Sequence, residues 1–144
     1  MNGRAGHLHR VLSEMGCVHQ FPFEIESMRL KNVGPFEDFS ITFRRNSLNV
    51  ICGPFGSGPW IMQSILYASG IREKYGGYEA LKKGMVTLER AEGQCLTVDE
   101  FSMNPLLLNE LRDYLSDVQI IASVPLTFNT KMLDERAVLI CLEK

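Results

Sequence analysis

Residues 53 to 62 read GPFGSGPWIM, and their spacing is that of a cradle for phosphate. Gly53 and Gly58 have four residues between them, Gly56 lies inside the gap, and Pro54, Phe55 and Ser57 complete the loop. Glycine suits such a loop because backbone N–H groups must converge on an anion with no Cβ in the way. A helix start behind the loop adds unpaired N–H groups and a favourable dipole. In the pattern G-x-x-x-x-G-K-[ST], a lysine then meets the β- and γ-phosphates and a hydroxyl binds Mg²⁺. Those two places hold Pro59 and Trp60. Proline has no N–H to donate, and an indole is apolar and far larger than serine. A charge-assisted hydrogen bond contributes about 1.5–3 kcal/mol. Its loss alone weakens binding by roughly ten- to a hundred-fold. A weakened anion site is compatible with these residues; efficient hydrolysis is not.

The second constellation is CLTVDE, residues 95 to 100. An apolar strand ending in Asp99-Glu100 has the Walker B pattern, in which the aspartate supports Mg²⁺ and the glutamate polarises an attacking water. If the chain is active, Asp99 is the metal residue and Asp99 and Glu100 are the catalytic pair. The plainer reading is a solvated strand end. A third group, His7, His9, Cys17 and His19, has zinc-ligating side chains. Its spacing matches no zinc motif, and the plainer reading is a mobile tail. Trp60 reads first as a packing residue, and the pairs Lys82-Lys83 and Arg44-Arg45 as solvated surface. The four cysteines are scattered with no CxxC, so no disulfide framework is expected. Cys52 and Cys95 fall in apolar runs that read as buried strands.

These residues need a scaffold that places them at strand ends. FEIESMRLKNVGPF alternates at Phe23 and Ile25 and then at Met28 and Leu30, before Gly34-Pro35 makes a turn. FSITF alternates again, so the two form an antiparallel hairpin, with the next turn at residues 44–47. LNVIC is apolar throughout, as a strand covered on both faces is. It leads through the glycine loop into PWIMQSILYASG, whose apolar spacing is helical and which stops at Gly70. Residues 78–92 read as a second, more polar helix. CLTVDEF is the next buried strand. In NPLLLNELRDYL, Asn104 suits an N-cap and Pro105 the first helical position, with the leucines of 106–115 as core. VQIIASV and AVLICLE are two further strands. Strand and helix alternate as in a parallel α/β core.

A chain of 144 residues is most economically one domain. Residues 1–20 read as a leader, loose or a short helix, and 21–144 as the single domain. The net charge of −2 gives no general attraction to nucleic acid, so any such contact needs a local basic patch. The apolar runs fall far short of the roughly 20 residues of a membrane span, and the N-terminus lacks an apolar signal core. A cytoplasmic protein without a membrane partner is the expectation.

IESMRLKNVGPFEDFSITFRRNSLNVICGPFGSG resembles the N-terminal lobe of ABC-type ATPases of the SMC/RecF class, where a strand pair leads through such a loop into the first helix. CLTVDEFSMNPLLLNELRDYLSDVQIIASV resembles the C-terminal lobe, with the Walker B strand and a D-loop around Ser102 to Pro105. The resemblance implies a P-loop NTPase-like, mainly parallel sheet flanked by helices, with an N-terminal antiparallel hairpin and without the usual helical lobe or coiled coil. It also implies ATP and Mg²⁺ as ligands if the loop retains binding; with Pro59 and Trp60 in place, no cofactor is the expectation. The family's other motifs are missing. The signature serine and glycines would fall near LKKGMVTLERA, where Gly84 matches one glycine, and the switch histidine falls at Val124. Two readings follow. One is a non-catalytic domain acting as a scaffold or regulatory subunit through a protein partner or a homodimer, by analogy in DNA repair or recombination. The other is a weak ATPase completed by a partner chain.

Overall fold

The computed structural model describes residues 17–53, 57–69, 84–99, 105–124, 130–133 and 135–142. In it the chain is a mixed α/β fold with two sheets. Strands β1 (Cys17–Phe21), β6 (Cys95–Asp99), β7 (Gln119–Val124), β4 (Leu48–Cys52) and β8 (Val138–Cys141) lie side by side in that order. All neighbours are parallel except β1, which runs antiparallel to β6. A separate antiparallel sheet has the order β3 (Phe36–Thr42), β2 (Glu24–Val33), β5 (Met85–Ala91). The described helices are α1 (Ser57–Ala68) and α2 (Pro105–Tyr114), with a 3-10 turn at Thr130–Met132.

Two apolar clusters explain the layering. Ile51 of β4 and Ile121 of β7 point to one face, where they meet Ile61 and Ile65 of α1 and Ile25, Met28 and Leu30 of β2. Their neighbours Val50 and Ile120 point to the other face, with Leu96, Val98, and Leu108 and Leu111 of α2. A strand alternates its side chains between faces, so apolar residues throughout LNVIC and QIIASV are what two covered faces require. Helix α1 thus lies between the two sheets, touching β5 on one side and β6 and β7 on the other.

The break in phase between Ile25 and Met28 is a β-bulge, with the register against β5 shifting between Ile25 and Ser27. One extra residue there keeps both halves of β2 facing the core. The β2–β3 hairpin turns at Gly34, whose φ of +52° suits the primed turns that match strand twist.

Several expectations need correction. Residues 17–20 are not a loose leader or a helix: they open β1, which covers the edge of β6. Within the helix expected over 78–92, residues 85–91 are a strand, with Val86 and Leu88 packed against the core and Met85, Thr87 and Glu89 exposed. Leu106 is exposed rather than core. Arg45 is more than solvated surface, because its guanidinium bonds the buried Glu24 at 2.6 Å. Cys52 is half-buried; Cys95 is buried as expected.

Candidate functional site

The loop follows β4 directly, as its spacing requires. Cys52 ends the strand, Gly53 is buried, and α1 opens at Ser57. Pro54, Phe55 and Gly56 lie outside the described residues; Ser57, Gly58 and Pro59 form the first turn of α1. The topology favours this end of the sheet. The chain leaving β4 passes into α1 on one face, whereas the chains leaving β6 and β7 run to α2 and the 3-10 turn on the other. In open α/β sheets, ligands bind where outgoing connections part to opposite faces, and in this sheet that point falls between the ends of β4 and β7.

Asp99 is the last residue of β6, in register with Ser123 of β7 and Cys17 of β1. One strand, β7, separates β6 from β4, so its backbone is roughly 10 Å from the end of β4 at ordinary strand spacing. Glu100 lies outside the described residues. The sheet therefore brings the glycine loop and the Walker B-like strand end to the same edge. Val124, where the resemblance would put a switch histidine, is buried beside Cys52 and joins the α2-side cluster.

Trp60 has a structural task. Its indole is half-buried and packs on the hairpin turn, so closely that a Cβ on Gly34 would lie 2.5 Å from the ring. The ring therefore ties the first turn of α1 to the tip of the β2–β3 hairpin. Ser64, one turn on, donates its hydroxyl to the Trp60 carbonyl at 2.7 Å. Gly84 is explained in the same way. A Cβ there would lie 2.4 Å from the Asn32 carbonyl oxygen, and the residue enters a strand, not the helix that a signature motif opens. Lys82 and Lys83 lie outside the described residues.

The donor set does not fit Mg-ATP. Position 59 has no N–H, and position 60 offers an apolar ring engaged with Gly34 where a metal-binding hydroxyl belongs. Only part of the zinc group lies among the described residues. His7 and His9 lie outside the described residues, and Cys17 and His19 are two residues apart on β1. Among the described residues no three His, Cys, Asp or Glu come together as metal ligands.

The polar residues that the sequence reading passed over lie at the opposite end of the sheet. Gln119, wholly buried, accepts from the Ile25 N–H at 2.8 Å and donates to the Ile25 carbonyl at 2.8 Å, as a neighbouring strand would. Asn49, also wholly buried, accepts from the Arg44 N–H at 2.9 Å and donates to the carbonyls of Arg44 and Ser47. Glu24 accepts from Arg45 and from the Asn46 N–H at 2.8 Å. Arg112 donates to the Asn46 carbonyl at 2.6 Å and to the carbonyls at the end of α2. A polar residue at the start of an otherwise apolar strand, as in LNVIC and QIIASV, was the available signal.

No protein family, no curated protein and no solved structure matches this chain.

Proposed function

We propose that this chain is a non-catalytic ABC-ATPase-like domain of the SMC/RecF kind, acting through protein contacts as a scaffold or regulatory subunit. The finer fold assignment, a P-loop NTPase-like sheet, belongs to the same proposal. One observation carries it. A glycine loop joins a buried strand to a helix at the switch point of the sheet, yet the residue in the place of the metal-binding hydroxyl is packed into the hairpin. The glycine spacing of a phosphate cradle is kept in the sequence, while other residues stand in the places of its cation and its metal ligand. By analogy with the class, whose members pair head to tail around ATP, the ABC-like face would receive a protein partner or a second copy. A place in DNA repair or recombination rests on that analogy alone.

The position of Asp99 at the carboxyl end of β6 favours a second reading, a weak ATPase that a partner chain completes. Restoring the cation separates the two. Pro59→Lys, with Trp60 left to hold the hairpin, should acquire a rise in melting temperature with Mg-ATP, since a ligand of the folded state must stabilise it. A folded Pro59→Lys chain that ignores millimolar ATP would mean the loop is only a turn. A partner-dependent release of phosphate by the unaltered chain would establish the second reading.

A further inference from the structure

Cys52 and Cys141 end neighbouring strands. In the parallel ladder Cys52 of β4 stands in register with Cys141 of β8, and the Leu142 N–H donates to the Cys52 carbonyl at 2.8 Å just beyond. Neighbouring strands lie about 4.7–4.9 Å apart, inside the Cα separation of about 4.4–6.8 Å that a disulfide spans. Both side chains leave the sheet on the same face. Ile51 and Ile140 turn to the α1 side, so Cys52 and Cys141 turn to the α2 side, where Cys52 packs against the second cluster. Cys141 is exposed and closes an edge strand, and Cys52 is half-buried. Both are thiols here. Burial pushes the Cys52 thiol up, and the adjacent Cys141 adds to the shift. Cys95 makes the contrast: wholly enclosed, its thiol is pushed up to about 12 by burial and stays inert.

We propose that Cys52 and Cys141 are a reversible redox pair, closing to a disulfide that staples β8 to β4 beside Gly53. The oxidant is a peroxide. The exposed Cys141 sulfur, as thiolate, attacks the O–O bond, becomes a sulfenic acid and releases the other oxygen as water once protonated. The Cys52 thiol then gives up its proton and attacks that sulfenic sulfur, forming S–S and expelling hydroxide, which takes up a proton to leave as water. Two thiols and one peroxide give one disulfide and two waters, with two electrons passing from sulfur to oxygen. A thiol reductant reverses the step. The proposal is independent of whether the loop binds nucleotide.

The full chain is treated with hydrogen peroxide, remaining thiols are alkylated, and the digest is read by mass spectrometry. The expected product is a Cys52–Cys141 linked peptide pair, about 2 Da lighter than the two reduced peptides, present in Cys17→Ser and absent in Cys141→Ser. Dithiothreitol should abolish it. Hydrogen exchange across 138–142 should slow on oxidation in the unaltered chain and stay unchanged in Cys141→Ser, whose exposed position spares the fold. Sulfinic or sulfonic acid on Cys141 with Cys52 still alkylated as a thiol would overturn the proposal. So would a link from Cys17 instead, or no oxidation at all.

Discussion

At the amino-terminal edge of the parallel strands, Asn49, Gln119 and Glu24 are buried polar side chains engaged with backbone or with Arg45. At the carboxyl edge stand Gly53, Val124, Cys52, Cys141 and, ending β6, Asp99, with Trp60 turned onto Gly34. A buried polar group without a partner costs about 1–3 kcal/mol, so the amino edge must be internally complete, and it is. Its residue types follow entirely from joining two sheets: Gln119 lends β2 the bonds of a missing strand, and Asn49 supplies those of the 44–47 turn. The carboxyl edge differs. Its glycines have the spacing of a ligand cradle, but the position of the metal-binding hydroxyl holds Trp60, packed on Gly34. One edge is polar because the fold requires it; the other is followed by a loop whose glycine spacing, read from the sequence, is that of a phosphate cradle.

The largest effect should come from the amino edge. Gln119→Leu keeps the volume but leaves the Ile25 N–H and carbonyl without their partner, and should lower unfolding free energy by about 3 kcal/mol in urea titrations. A loss below 1 kcal/mol would mean the two sheets do not depend on this amide.

Next, Trp60→Ala should cost about 2–3 kcal/mol, somewhat below the range for wholly buried aromatics because the ring is half-exposed. Gly34→Ala should be comparably damaging, since its Cβ meets the indole and its φ is positive. In a Trp60→Ala background the same change should cost only the backbone strain, about 1 kcal/mol. Additive costs would show that the ring and the hairpin turn are not in contact, and would return Trp60 to the candidate site.

A smaller effect concerns Cys95, the thiol at the start of β6. Its folded pKa is raised to about 12, by burial first and by nearby Glu24 second, so the folded state holds the proton after the unfolded chain has lost it. Its stabilising share is therefore intact below the unfolded thiol value and falls as pH rises from there toward 12. The slope is at most about 1.4 kcal/mol per pH unit. Cys95→Ser should flatten that alkaline limb. An identical limb in both proteins would contradict the assignment.

The smallest effect is expected at the surface. Arg29 and Asp38 form a paired bond of 2.9 and 3.0 Å across β2 and β3, both half-exposed. The Arg29 hydrogen bond, with smaller charge effects from Arg29 and Lys31, holds the Asp38 carboxyl below its usual range against some desolvation. What it contributes is present above the ordinary carboxylate pKa and is lost as pH falls through the lowered one. Exposed pairs contribute little, so Asp38→Asn should leave the neutral-pH melting temperature unchanged within error and alter only the acid limb.

Strands with a full apolar run or a clean alternation were legible, which is why β2, β3, β4, β6, β7 and β8 fall where the pattern puts them. The bulge at Ile25–Ser27 was not read from the sequence, where it showed only as a slip in the alternation from Ile25 to Met28. Strand β1, CVHQF, was not: it is short, lies at an edge and has polar residues at its centre, so its pattern is diluted. Strand β5 was misread as a helix because the charged residues around MVTLERA masked the alternation of Val86 and Leu88. At the candidate site, the glycine spacing and the substituted residues were plain in the sequence. The reason for Trp60 was not, because its partner Gly34 is distant in the chain and local spacing carries no information about it. The Gln119 and Asn49 bonds were hidden for the same reason.

The proposed function requires that the loop after β4, with the glycine spacing of a phosphate cradle, no longer performs its chemistry. The most direct test is a titration of the unaltered chain with Mg-ATP, following melting temperature and phosphate release together. The account predicts no rise in melting temperature at submillimolar ATP and no phosphate released above buffer. A saturable rise with matching turnover by the isolated chain would contradict it.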